Sequence, residues 1–411
     1  VAHSALRRHY AAAGLAGGHC FLENAMYRPA SRTRDIAPFH VMELLTRARA
    51  LETAGRDIVH MEVGEPDFPT PEPIVRAGQA AIADGRVFYT PALGLPELRE
   101  AIAAFYAARY GKAIPASRIV VTTGASGALT LALACLCEPG RQWLLPDPGY
   151  PCNRHFVRSF EGNPKAISVG AETNFQPTAA MVDEAWNDAT DGLVVASPAN
   201  PTGTLLAAPE LAALTTAVRR RDGHLIVDEI YHGLSYDGDC TTALEASDDV
   251  WVVQSFSKYF QMTGWRLGWL VVPEPYLRDV EKLAQNLFIS PPTPAQYAAL
   301  AAFHPETLAV LEARRAEFRR RRDFLAPALA SLGIRVVARP QGAFYLYCDS
   351  SALAADSFAL AWKMLEEAGV AATPGIDFGS HRPERHLRFA YTTDVERLAE
   401  AVQRLQRLFG R

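Results

Sequence analysis

The stretch VWVVQSFSKYFQMTGWRLGW, residues 250–269, opens with a short continuous apolar run and then breaks into a polar turn that holds a single lysine, Lys258. A run of that length with no apolar–polar alternation suits a strand covered on both faces. The same theme returns in RIVVTTGASGA (118–128), QWLLPDPGYP (142–151), GLVVASPANPTG (192–203) and HLIVDEIYHG (224–233). Helix-like segments separate several of these runs, for instance 128–136 and 210–221. Strands alternating with helices predict an α/β fold with a mostly parallel sheet. In such sheets ligands bind beyond the carboxyl ends of the strands. The chemically unusual residues, Lys258 among them, stand at those ends.

A chain of 411 residues can bury a large core and predicts one large domain with a smaller one. Residues 64–305 carry the repeated theme. After about residue 305 the texture changes to a long helical stretch followed by GIRVVARPQGAFYLYCDS and HLRFAYTT, which predicts a second, α+β layer. The expected division is therefore a large domain over 64–305 and a small one built from 31–63 and 306–411. Residues 1–30 read as a poorly ordered extension.

A net charge of -4 argues against a nucleic-acid binder, which needs clustered positive charge. The densest basic run, Arg314, Arg315 and Arg319 to Arg322, alternates with glutamates and reads as a solvated helix face. Six scattered cysteines do not form a secreted disulfide framework, and the expected compartment is cytoplasmic. Cys135, Cys137, Cys152 and His155 do not read as a zinc site, and no metal is expected. No apolar stretch approaches the ~20 residues of a membrane span.

Three features near the strand ends each admit two readings. Gly124, Ala125, Ser126 and Gly127 form either a plain tight turn or a phosphate cradle at a helix N-terminus. Ser126 lacks the spacing of a hydrolase nucleophile elbow, since Gly127 follows it directly. Asp228, at the end of HLIVD, serves equally as a helix N-cap or as a carboxylate awaiting a cation. Arg266 is either a surface residue or a bidentate phosphate ligand. Taken together with Lys258 and the aromatic Tyr150, the set fits an aldehyde cofactor with a phosphate tail, a protonated pyridine nitrogen and a flat ring.

These residues resemble a family, the class I and II pyridoxal-phosphate aminotransferases of fold type I. The resemblance runs in order from about residue 36 to the C-terminus through GEPDFPTP, YTPALGLPELREAI, PDPGYP, NPTG, DEIY, SFSK, TGWRLG, GAFY and LRFAY. It implies that Lys258 holds pyridoxal 5'-phosphate as an aldimine and later shuttles the substrate's α-proton. It further implies that Asp228 pairs with the pyridine nitrogen, that Tyr231 and Asn200 bond the ring oxygen, and that Tyr150 stacks on the ring. Ala125, Ser126, Ser255 and Arg266 resemble the phosphate site, and Tyr89 resembles a tyrosine that reaches the phosphate of a neighbouring subunit, implying a homodimer. Arg388, helped by Asn200 and the backbone of Gly64, resembles the clamp on the substrate α-carboxylate. Two departures, Ala199 before NPTG and Ala125 in the phosphate turn, remove no required side chain.

The implied reaction moves an amino group from an L-amino acid to a 2-oxo acid. A carbon–sulfur β-lyase or decarboxylase keeps the same Lys258, Asp228 and Arg388. A regulator with an aminotransferase-like fold would need a DNA-binding module, and residues 1–30 are too short and too rich in Gly and Ala for one. Aspartate, aromatic and neutral aliphatic donors all stay open, with Arg28, Arg32 and Arg34 as candidate second cations.

Overall fold

In the computed structural model, which describes residues 28–238 and 240–410, alternate residues of the central strands feed two different apolar cores. Val227 and Val252 belong to one, and Ile226 and Val253 to the other. Burial on both faces is why these runs show no alternation.

The strands are β1 (Ile119–Thr122), β2 (Gln142–Asp147), β3 (Asn163–Ser168), β4 (Thr190–Ala196), β5 (His224–Asp228), β6 (Trp251–Ser255) and β7 (Gly268–Val271). They form a seven-stranded sheet in the order β1-β7-β6-β5-β4-β2-β3. β7 runs antiparallel to both neighbours, and the remaining pairings are parallel. Ala196 stands beside Asp228, and Asp228 beside Val253. The loops leaving β4, β5 and β6 therefore emerge side by side. β3 escaped the sequence reading. It is an edge strand with largely exposed or half-buried residues and a proline, so it carries no apolar run.

Helix α1 (His40–Thr53) buries Leu44, Ala48 and Leu51, the helical spacing expected. The amides of His40 and Val41 both donate to the Asp377 carboxylate at 2.8 Å, so the distant C-terminal part of the chain caps this helix. Helix α2 (Gly124–Leu136) begins earlier than expected, and GASG is its first turn rather than a turn before it. Helix α3 (Pro151–Ser159) starts with Pro151, where the missing N–H costs nothing.

Helix α4 (Pro305–Ser331) corrects the reading of the basic run as a solvated face. Arg319 and Arg320 are exposed, but Arg321 and Arg322 are 3% and 8% exposed. Arg321 is bidentate to Asp67 at 2.7 and 3.0 Å, and Arg322 to Asp237 at 2.8 and 3.1 Å. Carboxylates on distant loops neutralise them, a pairing that local charge alternation does not reveal.

The C-terminal layer holds β8 (Arg335–Val336), β9 (Tyr345–Asp349), β10 (Thr373–Pro374) and β11 (His386–Ala390), antiparallel in the order β10-β11-β9-β8. Val59 and His60 pair in parallel with Val370 and Ala371, which ties the segment after α1 to this layer. Among the described residues no helix is long and apolar enough to cross a membrane. The expectation of an N-terminal extension falls, for residues 1–27, outside the described residues.

Candidate active site

The side-by-side loops at the carboxyl edge of the sheet enclose two cavities that share Gly64, Tyr150, Asp228 and Lys258. The first is lined by Ala125, Ser126, Ser255, Ser257 and Arg266. The second continues to Asn200, Tyr231, Tyr345 and Arg388.

In the first cavity the backbone makes room for a guanidinium. Gly124 has φ +72°, and a Cβ added there would lie 2.8 Å from Arg266 Nη2, so glycine lets the arginine rest against the first turn of α2. Arg266 Nη1 donates to the Thr263 carbonyl at 2.9 Å, and among the described residues Arg266 forms no ion pair. The first-turn amides of α2 at Ala125 and Ser126 have no intrahelical acceptor, and the Ser255 hydroxyl donates to Ser257 at 2.9 Å. Free amides, hydroxyls and an unpaired guanidinium together make a donor set for a dianion.

Lys258, in the loop after β6, donates from Nζ to the Gly64 carbonyl at 2.7 Å. Burial lowers its pKa to about 8, the nearby Glu65 carboxylate opposing that shift. Asp228 ends β5 and is 4% exposed. Its Oδ1 accepts from the Ile230 amide at 3.1 Å, closing a turn, with no helix following. Burial raises its pKa to about 7. At 1.36 kcal/mol per unit, ionising it there costs on the order of 4 kcal/mol more than in water. The carboxylate lacks a paired cation among the described residues.

Tyr231 and Tyr345 share a hydrogen bond between their hydroxyls at 2.8 Å, with rings edge-to-face at 80°. Lys258 Nζ lies 5.8 Å from the Tyr231 ring centroid. Gly64 is required at its position, because any Cβ would collide with the Tyr345 hydroxyl. Arg388, on β11, donates from Nη1 to Asn200 Oδ1 at 3.0 Å. Its Nη2 donates to Thr373 Oγ1 at 3.1 Å and to the Glu62 carbonyl. The guanidinium lies 4.3 Å from the Tyr345 ring centroid and 4.9 Å from that of Phe378.

The structure thus brings together Gly64, Ala125, Ser126, Tyr150, Asn200, Asp228, Tyr231, Ser255, Lys258, Arg266 and Arg388. Tyr89 does not join them within one chain: it is 80% exposed, beside Phe88 at 81%. Arg28, Arg32 and Arg34 line neither cavity, and Arg32 pairs with Glu161 at 2.8 Å. Among the described residues no histidine lines either cavity, so none there offers Ser126 the general base a hydrolase needs. Sequence reasoning did not assign Tyr345, Ser257, Thr373 or Glu62. The GAFY motif was a visible signal for Tyr345 and SFSK for Ser257; Thr373 and Glu62 meet the site through Arg388.

The family model for aminotransferase class I and II matches residues 56–405. The chain belongs to the class I and II aminotransferases. This aminotransferase is 40% identical to a valine–pyruvate aminotransferase of Mycobacterium tuberculosis over 90% of its own length and 96% of the relative's. It is 34% identical to an aspartate/prephenate aminotransferase of Thermus thermophilus, covering 92% and 98% of the two chains. A crystal structure of an aminotransferase from Mycobacterium tuberculosis superposes with a TM-score of 0.91 at 40% identity, covering 93% of this chain and 99% of that one. The fold is that of the type I enzymes, and the activity is transfer of an amino group from an amino acid to an oxo acid.

Proposed function

We propose that the aminotransferase works with pyridoxal 5'-phosphate held by Lys258, and that its donor is an L-amino acid with an uncharged side chain. The observation that carries the cofactor is the set of three ionisable groups around one cavity that have no ion-pair partner among the described residues: Arg266 for a phosphate, Asp228 for a ring cation and Lys258 for an aldehyde. The glycine that admits Arg266 and the free amides of α2 complete the fit. When bound, the cofactor supplies an electron sink for the charge that develops at the substrate α-carbon.

Asp228 would hold a proton on the ring nitrogen, and Tyr231, oriented by Tyr345, would donate to the ring oxygen with Asn200. Tyr150 covers the ring face. The Lys258 amine, with its lowered pKa, would act as the base that takes the substrate's α-proton. Arg388 holds the α-carboxylate, and replacing it with leucine removes a buried bidentate clamp. Arg388→Leu is expected to shift the donor titration by on the order of 2 to 5 kcal/mol while the cofactor spectrum stays unchanged. A donor titration that does not move removes Arg388 from that role.

The wall beyond Arg388 is formed by Phe39, Val41, Met42, Leu45, Ile230 and Phe378, with Lys258 and Arg388 as the cations lining that cavity among the described residues. A second substrate carboxylate would meet mostly apolar surface there. The valine–pyruvate activity named for the relative supports the same side of the choice. A screen of donors against pyruvate and 2-oxoglutarate tests this, and preference for aspartate over valine would overturn it.

We further infer that the enzyme is a homodimer in which Tyr89 reaches the neighbour's phosphate site, and that 64–305 and 31–63 with 306–411 act as two domains meeting at the cavity. The exposed Phe88 and Tyr89 support a covered surface. Light scattering is expected to give twice the chain mass, with Tyr89→Phe weakening cofactor retention. A fully active monomer would sink the shared site.

A further inference from the structure

We infer that His60 and Glu52 position the α-carboxylate clamp by holding Glu62 from the side away from the substrate. The Glu62 side chain is fully buried. Its Oε1 lies 2.7 Å from His60 Nδ1, and its Oε2 has no hydrogen-bond partner among the described residues. A buried carboxylate satisfied by one imidazole depends on that imidazole for its place.

On the far side of the ring, His60 Nε2 lies 3.1 Å from Oε1 of Glu52, in the last turn of α1. One imidazole can donate to two carboxylates only when both nitrogens carry protons. The surroundings favour that state: the hydrogen bond to Glu62, with help from Glu52, raises His60 to about 9 against the opposing effect of burial. The result is a carboxylate–imidazolium–carboxylate chain running from the exposed end of α1 to the edge of the cavity.

Glu62 is where this chain meets the site. Its carbonyl accepts from Arg388 Nη2 and, at 3.0 Å, from the Thr373 hydroxyl, which itself accepts from Arg388. A shift of the Glu62 side chain tilts its peptide, and with it the direction in which Arg388 points. The opposite end of α1 supplies Val41, Met42 and Leu45 to the cavity wall, so the same helix both covers the site and anchors the clamp. None of Glu52, His60 or the Glu62 carboxylate touches the reacting atoms. They are positioning groups, and the inference rests on the reading of Arg388 as the α-carboxylate clamp.

The test uses the cofactor-loaded enzyme and reads KM and kcat separately for an amino-acid donor, its oxo acid and a primary amine that lacks the carboxylate. His60→Ala is expected to raise KM for the two carboxylate substrates by on the order of tenfold, with kcat at saturation within about twofold. The amine, which cannot use the clamp, should show no such rise. Glu52→Gln lies at the exposed end, does not threaten folding and should move the same KM values in the same direction by about threefold. If either folded variant loses thermal stability while the donor KM stays put, the chain is only structural and the inference is overturned. An equal rise for the amine also overturns it, because the effect then falls on the whole cavity. If Arg388→Leu leaves the donor titration unmoved, the clamp reading itself fails, and that result is distinct from both.

Discussion

Replacing Lys258 with alanine is expected to lower turnover by on the order of 10⁴-fold, the upper range for losing a positioned proton-transfer group. Among the described residues no other amine lines either cavity to take over. In the unaltered protein, borohydride should fix the cofactor to a single peptide, the one containing Lys258. The pH dependence adds a second check. Only the neutral amine attacks an aldehyde, and burial disfavours the charged form, lowering the lysine from 10.5 to about 8. Loading of the cofactor onto the cofactor-free protein should therefore speed up as pH rises through about 8 and level off above it. A solvated lysine would show the rise only about two units higher. A labelled peptide without Lys258, or a Lys258→Ala variant with ordinary turnover, removes the lysine from the mechanism.

Where the sequence was legible, local chemistry and tertiary structure pointed the same way. The runs at β4, β5 and β6 are apolar throughout because both faces are buried, and that pattern needs no knowledge of neighbours. Their ends and the loops that follow carry Asn200, Asp228 and Lys258, so strand ends and site residues were read together. Legibility stopped where a partner lies far along the chain. The edge strand β3 has no apolar run to find. Arg321 and Arg322 looked solvated because Asp67 and Asp237, which bury them, are separated from them by long stretches of chain. Tyr345 stood in a visible motif, yet its role depends on meeting Tyr231 across two layers. Glu62 looked like an ordinary polar residue before GEPDF; its importance comes from His60 beside it and Arg388 on another strand.

Asp228→Asn separates electronics from shape. The amide is nearly isosteric and can still accept from the Ile230 amide, so the turn that ends β5 should persist. What disappears is the negative charge, which is costly to keep in this buried position: burial, opposed by the Ile230 amide and Lys258, lifts the carboxyl to about 7. A ring cation bound against Asp228 returns that cost, and without the charge the ring nitrogen loses its reason to stay protonated. The expected result is a fall of on the order of 10² to 10³-fold in the rate of the donor half-reaction, comparable to removing one preorganised charge-stabilising group from an active site. Because Arg266, Ser255 and the amides of α2 are untouched, the cofactor should still bind. Arg388 is untouched as well, so the donor concentration giving half the maximal rate should hardly move. Slow conversion at saturating donor with an unshifted titration identifies an electronic role. Conversion at the unaltered rate would show that Asp228 only closes the turn after β5. Loss of the cofactor altogether would place Asp228 in binding, and the electronic assignment would fall with it.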